Sequence, residues 1–134
     1  MEVIYKLSEN QIKDLHNLYK NEWWTNQRTL EETRNCVHGS QICIGLIENN
    51  TLIGFVRVIT DYTFKALIFD LIIDSNYRKK SLGKKLLNLI KSHEKIKNIT
   101  HFELYCLPEL KGFYEQFGFS GEIGGIELLR CNNA

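Results

Sequence analysis

Hydrophobic and polar residues alternate in different ways along the chain, and each pattern predicts an element. Residues 3–7 read as a first strand. Two helices should follow, each opened by a capping box in which Ser or Thr precedes Gln or Glu by three residues. These pairs are Ser8 with Gln11 and Thr29 with Glu32. The helices should end near Lys20 and Gly39, and the Trp-containing segment 21–28 between them lacks periodicity.

Strand patterns dominate the middle of the chain. Residues 42–48 and 52–60 predict a hairpin, because the Asn-Asn pair between them tolerates positive φ. The run 66–73 is almost continuously apolar and β-branched, which is typical of a central strand covered on both faces. Asp70 is the polar exception within that strand.

The last third of the chain predicts a helix, a strand, a second helix and further strands. Apolar residues spaced by three and four over 82–93 describe an amphipathic helix, and residues 100–106 read as a buried strand. Pro108 suits the first turn of a short helix that Gly118 ends, and residues 119–130 should form one or two final strands. This order of elements predicts a mixed α/β (α+β) fold.

Composition narrows the class of protein. A chain of 134 residues with 43% hydrophobic and 25% charged residues fits one globular domain, 1–134. A net charge of +1 argues against a strong overall attraction to nucleic acid or to an anionic membrane. The sequence shows neither a leader pattern nor an apolar run of bilayer length, so we expect a cytoplasmic protein. Four widely spaced cysteines predict reduced thiols rather than a zinc site.

Basic residues concentrate at the predicted start of the helix over 82–93. Five of eight consecutive positions are basic, namely Arg78, Lys79, Lys80, Lys84 and Lys85. Free backbone N–H groups and the macrodipole attract anions to a helix start, whereas each exposed cation there opposes the dipole by about 0.3–1 kcal/mol. The cluster therefore favours a bound anion over the alternative of a solvated basic surface.

Two motifs resemble the GNAT superfamily of N-acetyltransferases. The segment 77–87, Y-R-K-K-S-L-G-K-K-L-L, is similar to the coenzyme A signature of that family, R/Q-x-x-G-x-G/A after an apolar strand. The segment 113–119, F-Y-E-Q-F-G-F, resembles a second family motif, and the elements between them fall in family order. Ser81 stands where the family usually has glycine, which would lower affinity for coenzyme A if that position requires positive φ.

The resemblance implies a mostly antiparallel central sheet flanked by helices on both faces, with acetyl-CoA as cosubstrate. The pantetheine would pair with the strand edge at Leu71, Ile72 and Ile73. The diphosphate would bind where the next helix begins. The residues implied there are Arg78, Lys79, Lys80, Ser81, Leu82, Gly83 and Lys84.

The same resemblance implies direct attack of an amine on the thioester in a ternary complex, without a metal. Tyr114 would protonate or hydrogen-bond the departing thiolate, although an aromatic residue at helical spacing is commonly part of a core. Asp70 or Asp61 would attract or deprotonate the acceptor ammonium, unless both carboxylates are structural.

The acceptor itself stays open. Trp23, Trp24 and Tyr62 are candidates to contact it, with simple coverage of the core as the alternative. A small metabolite amine, an antibiotic, a polyamine and a protein amino group are all compatible with the sequence. The competing functions are a non-catalytic acyl-CoA-binding module and, less favoured, a nucleic-acid-binding domain that uses the basic cluster. Either a monomer or a homodimer is compatible with these patterns.

Overall fold

A five-stranded mixed sheet forms the centre of the protein, whose structure is a computed structural model that describes residues 1–133. The strands are β1 (Glu2–Ile4), β2 (Ile42–Glu48), β3 (Thr51–Thr60), β4 (Lys65–Ile73) and β5 (His101–Leu104). They lie in the order β1-β2-β3-β4-β5, and every neighbouring pair is antiparallel except β4 and β5, which are parallel. The predicted hairpin over β2 and β3 is confirmed, with positive φ at Asn49 and Asn50.

Four helices connect and cover these strands. They are α1 (Glu9–Lys20), α2 (Leu30–His38), α3 (Leu82–Lys91) and α4 (Lys111–Glu115), with short 3-10 turns at Ser75–Tyr77 and Pro108–Leu110. Both predicted capping boxes are present, so the backbone N–H groups at the starts of α1 and α2 are satisfied locally. Gly39 caps the C-terminus of α2 as predicted.

Helices cover both faces of the sheet, as the family resemblance implied. Alternate side chains of β2 point to opposite sides. Ile42, Ile44 and Leu46 pack with α3, whereas Cys43 and Ile47 pack with α1 and α2. Burying one Leu or Ile side chain stabilises the fold by about 1.5–3 kcal/mol, so the fully buried apolar face of α3 anchors its N-terminus firmly to the sheet.

A β-bulge interrupts β4 at Asp70. Arg57 opposes Phe69 and Phe55 opposes Ile72, so the single residue between Phe55 and Arg57 faces two residues of β4. Asp70 has φ of 59°, a left-handed conformation that a non-glycine residue adopts only when its surroundings fix it. The extra residue bends the second half of β4 away from the regular pleat.

The C-terminal segment departs from the prediction. Residues 119–130 were expected to form final strands, but the structure shows turns and irregular chain from residue 119 to residue 133. Gly124 and Gly125 adopt positive φ, and Ile126 and Leu129 are largely exposed. Apolar residues favour a strand only where a neighbouring strand and a core receive them. Phe119 packs against the core, but none of the described strands pairs with this segment. The predicted buried strand over 100–106 is also shorter and only partly buried.

Candidate active site

A cleft opens where β4 and β5 separate. The two strands pair from Lys65 with His101 to Ile68 with Leu104, and the bulge at Asp70 follows immediately. Beyond it β4 pairs only with β3 among the described strands, which leaves its other edge free. The cleft has a volume of about 740 Å³, and apolar and aromatic side chains form most of its wall. Such a concave apolar pocket with few polar groups is typical of a small-molecule site.

The residues expected to pair with pantetheine line this cleft. Leu71, Ile72 and Ile73 follow the bulge on the free edge of β4. Ile72 buries its side chain in the core beneath α1, whereas Leu71 and Ile73 belong to the layer beneath α3. An unpaired strand edge offers N–H and C=O groups to an extended amide-containing ligand.

The start of α3 adjoins the same cleft through a groove of about 470 Å³. Ser81 precedes the helix with φ of 59°, and its side chain makes no capping hydrogen bond. Lys79 also adopts positive φ, at 68°. The first-turn N–H groups of α3 are thus left for another partner, and Ser81 does occupy the left-handed conformation in which the family's usual glycine is unstrained.

Gly83 lies on both the cleft and the groove. A Cβ atom added at this position would meet Phe113 at 3.6 Å and Leu71 at 3.9 Å, which are ordinary contact distances. Packing within the protein therefore does not require glycine here. A ligand backbone or phosphate that approaches the main chain closely does give a reason for it, so the residues fit a diphosphate at this helix start.

The basic cluster divides into one paired and four unpaired cations. Arg78 forms an ion pair with Glu22, and its Nε donates a hydrogen bond to the Ile73 carbonyl at 3.3 Å. Within residues 1–133 the remaining members make no ion pair, namely Lys79, Lys80, Lys84 and Lys85. This surplus of positive charge surrounds the start of α3 and attracts an anion there.

Tyr114 forms part of the cleft wall from α4. Its ring packs edge-on against Phe113 and Phe119, at centroid distances of 5.1 and 6.0 Å. Burial, and next the proximity of Cys106, raises the pKa of the Tyr114 phenol above its usual range. The hydroxyl therefore stays protonated at neutral pH and is a hydrogen-bond donor for a group in the cleft.

Asp70 lies at the base of the cleft with its carboxylate already occupied. Arg28 donates two hydrogen bonds to it at 2.7 and 3.1 Å, Arg57 donates one at 2.7 Å, and the Tyr19 hydroxyl donates one at 2.9 Å. Burial alone raises the pKa of Asp70, but the two guanidinium groups outweigh it and the pKa is lowered. With its side chain 5% exposed and surrounded by two cations, Asp70 is poorly suited to take a proton from an amine.

Asp61 and Tyr62 lie outside the group of residues that line the cleft. They occupy the turn between β3 and β4, where Asp61 accepts backbone N–H bonds from Thr63, Phe64 and Lys65 at 2.8–3.1 Å. These bonds lower the pKa of the Asp61 carboxyl. The geometry thus gives Asp61 the role of a turn-stabilising residue, and it does not bring Tyr62 into the cleft.

Comparison with known proteins decides the family. The model of the acetyltransferase (GNAT) family matches residues 9–119, which include the cleft-lining part of β4, the start of α3 and Tyr114. The chain belongs to the GNAT family.

Similar proteins of known sequence are named as N-acetyltransferases. The chain is 28% identical over 130 residues to the uncharacterized N-acetyltransferase ycf52 of Pyropia yezoensis, covering 92% of this chain and 74% of that protein. It is 30% identical over 128 residues to ycf52 of Gracilaria tenuistipitata var. liui, covering 90% and 70%. A shorter match, 31% over 75 residues, covers 56% of this chain and 38% of the chloroplastic GCN5-related N-acetyltransferase 1 of Arabidopsis thaliana.

Solved structures share the GNAT fold. A probable acetyltransferase from Staphylococcus aureus superposes with a TM-score of 0.79 at 20% identity, covering 98% of both chains. Glucosamine-6-phosphate N-acetyltransferase from Arabidopsis thaliana gives a TM-score of 0.73 at 22% identity, covering 98% of this chain and 99% of that one. At these identities the likeness concerns the fold.

Several residues of the GNAT cleft escaped the sequence prediction. Arg28 and Arg57 neutralise Asp70. Glu22 reaches the cleft beside Trp23 and Trp24, the two residues that the sequence suggested as acceptor contacts. One signal for Arg28 and Arg57 did exist in the sequence, because a carboxylate inside a buried strand requires cationic partners.

In the described part of the chain no cluster of three metal-binding side chains occurs, and no helix has the length and apolar character needed to cross a membrane.

Proposed function

We propose that this protein transfers the acetyl group of acetyl-CoA to a primary amine by direct attack within a ternary complex. One observation carries the proposal: three features meet at one cleft, namely the free edge of β4, the uncapped start of α3 and Tyr114. Membership of the GNAT family supports the acetyl transfer itself. The choice of an amine as acceptor is supported by the names of the relatives.

The protein's own groups divide the work as follows. Main-chain atoms of Leu71 and Ile73 hold the pantetheine arm, while N–H groups from Lys79 to Lys84 hold the diphosphate. An alkylammonium, whose pKa lies near 10, first loses a proton to water, since Asp70 is occupied by Arg28 and Arg57.

Transfer then balances in atoms and charge. The amine nitrogen bonds to the acetyl carbon as the carbon–sulfur bond breaks, and the nitrogen releases its second proton. Tyr114 donates its proton to the departing sulfur and recovers one from solvent. The backbone N–H near Ile73 stabilises the oxygen that gains negative charge. The products are the acetamide and coenzyme A, with one net proton released per ammonium consumed.

A coenzyme A release assay tests this function. The purified protein is incubated with acetyl-CoA and a panel of butylamine, putrescine, an aminoglycoside, an amino sugar and a lysine peptide, and the new thiol is measured with a thiol-reactive dye. Mass spectrometry identifies the acetylated amine. Release that depends on one of these amines supports the proposal.

Two results would point to the competing functions. Tight binding of acetyl-CoA without transfer to any amine would favour an acyl-CoA-binding module. Nucleic-acid binding that falls steeply with salt, together with no binding of acetyl-CoA, would favour a nucleic-acid-binding domain. Cytoplasmic location, a monomeric or homodimeric state and the absence of a metal requirement belong to the same proposal.

Replacement of Arg78 by Ala tests the diphosphate site. We expect acetyl-CoA to bind more weakly, because a cation next to the start of α3 is lost. The matched control is Arg34→Ala, which also removes an arginine paired with a glutamate but lies on α2, where Arg34 pairs with Glu9 of α1. Equal affinity of both variants for acetyl-CoA would contradict the assignment.

A further inference from the structure

Charged groups are scarce in the cleft. Among the described residues that line it, three carry charge, namely Glu22, Asp70 and Arg78. Asp70 cannot receive an additional cation, because its oxygens already accept hydrogen bonds from two guanidinium groups and a tyrosine hydroxyl. Glu22 is then the remaining carboxylate that faces the cleft.

The backbone holds Glu22 in place. Its N–H donates to the Tyr19 carbonyl at 3.3 Å, and its carbonyl accepts from the Thr25 N–H at 3.2 Å. Thr25 is buried and its hydroxyl donates to the Tyr19 carbonyl at 2.8 Å. The Glu22 side chain is 18% exposed and adjoins Trp23 and Trp24 on the cleft wall. A cleft wall that carries a carboxylate and two indoles suits an alkylammonium, which both charge and aromatic faces attract.

Arg78 covers this carboxylate in the free protein. The two side chains are joined by an ion pair across 56 positions of sequence, and the Arg78 side chain is 51% exposed. Arg78 lies on both the cleft and the groove at the start of α3. The same guanidinium therefore lies within reach of two anions, the Glu22 carboxylate and a diphosphate at the helix start.

We propose that Glu22 binds the ammonium of the acceptor, and that Arg78 shields Glu22 until the diphosphate of acetyl-CoA draws Arg78 away. The inference rests on the proposed function. It predicts that the acceptor is a cationic amine and that acetyl-CoA binds before the acceptor. The exchange is balanced in charge, because Arg78 leaves one anion for another and the ammonium replaces it at Glu22.

Glu22→Gln is the decisive variant because it should affect the two ligands in opposite directions. Arg78 is released from its partner, so acetyl-CoA should bind about two- to fivefold more tightly, the range for an ion pair whose arginine is half exposed. The KM for butylamine, and for each amine the panel identifies, should rise by about tenfold or more through the loss of a charged hydrogen bond. Acetyl-CoA affinity is measured by calorimetry and KM by coenzyme A release.

Two further variants complete the test. Arg78→Gln should weaken acetyl-CoA binding but leave the amine KM at or below that of the unaltered protein, since Glu22 is then uncovered. Glu9→Gln removes the second glutamate–arginine pair of the described residues, Glu9 of α1 with Arg34 of α2, and should change neither quantity. Should Glu22→Gln fail to fold by circular dichroism, the behaviour of Arg78→Gln decides the question.

The inference is overturned if Glu22→Gln weakens acetyl-CoA binding, leaves the amine KM unchanged, or behaves as Glu9→Gln does. It is also overturned if Arg78→Gln raises the amine KM. If the ion pair were purely structural, each variant would weaken both acetyl-CoA binding and amine binding, because breaking the pair would loosen both sites together. If the unaltered protein acetylates no amine, the proposed function itself fails. If the unaltered protein acetylates an amine and Glu22→Gln changes neither acetyl-CoA affinity nor the amine KM, only the role of Glu22 is refuted.

Discussion

Asp70→Asn should destabilise the protein by about 3 kcal/mol, because the network around this residue depends on its negative charge. The Arg57 side chain is 11% exposed and that of Arg28 is 27% exposed, so asparagine would leave two cations with little water and no counter-ion. Removing one partner of a buried ion pair costs about 3–5 kcal/mol, and the partial exposure of Arg28 favours the lower end. For a chain of this size, that loss corresponds to a fall in Tm of roughly 10 °C.

The pH dependence gives this prediction its sharper test. The pKa of Asp70 is lowered in the folded protein, so its contribution to stability is complete above the ordinary aspartate pKa of about 4. That contribution disappears as pH falls through the lowered value. The difference in free energy of unfolding between the unaltered protein and Asp70→Asn should therefore be constant from pH 5 to pH 8 and shrink below about pH 4. Urea unfolding at each pH measures this difference. A value under about 1 kcal/mol at pH 7 would refute the dependence of the network on the charge of Asp70.

Three further substitutions test separate parts of the structure. Tyr114→Phe should lower kcat by roughly 100-fold with little change in acetyl-CoA affinity, measured by coenzyme A release and calorimetry, and an unchanged kcat would remove the hydroxyl from the mechanism. Ser81→Val should cost about 1–2 kcal/mol and weaken acetyl-CoA binding, because a β-branched residue resists φ of 59°, whereas Ser81→Gly should retain both properties in thermal and calorimetric measurements. Thr29→Ala should lower the free energy of unfolding in urea by about 1 kcal/mol, because the Glu32 N–H loses the Thr29 hydroxyl that caps α2. Faster hydrogen exchange confined to the amides of α2 would locate the effect there.

Local patterns predicted much of the fold because their causes are local. Both capping boxes and the hairpin depend on residues within a few positions of one another, and each is present in the structure. The basic helix start likewise combines a short motif with the general field of a helix terminus. Residues 119–130 failed as strands for the opposite reason, since a strand depends on a partner that the segment itself cannot specify.

The candidate site was predictable only in part, because its electrostatics depend on distant residues. Asp70 is recognisable in the sequence as an unusual charge in an apolar strand, and a catalytic base was one natural interpretation. Its actual partners lie 42 and 13 positions away, at Arg28 and Arg57, and together they lower its pKa. Glu22 stands in a segment without periodicity, so only the packed structure brings it to Arg78 and the cleft.

The segment between α1 and α2 makes one ion pair near each of its ends, and the two pairs differ in strength. The weaker pair locates the part of the site that can move. At one end Arg28 binds Asp70 through two hydrogen bonds in a largely buried network, so separating them would cost several kcal/mol. At the other end Glu22 meets an arginine that is half exposed, and such pairs contribute at most about 1 kcal/mol. An anion at the start of α3 needs to offer only that small energy to release Arg78. On the proposed exchange, the bulge in β4, the base of the cleft and the Glu22 backbone thus stay fixed while the Arg78 side chain responds to ligand.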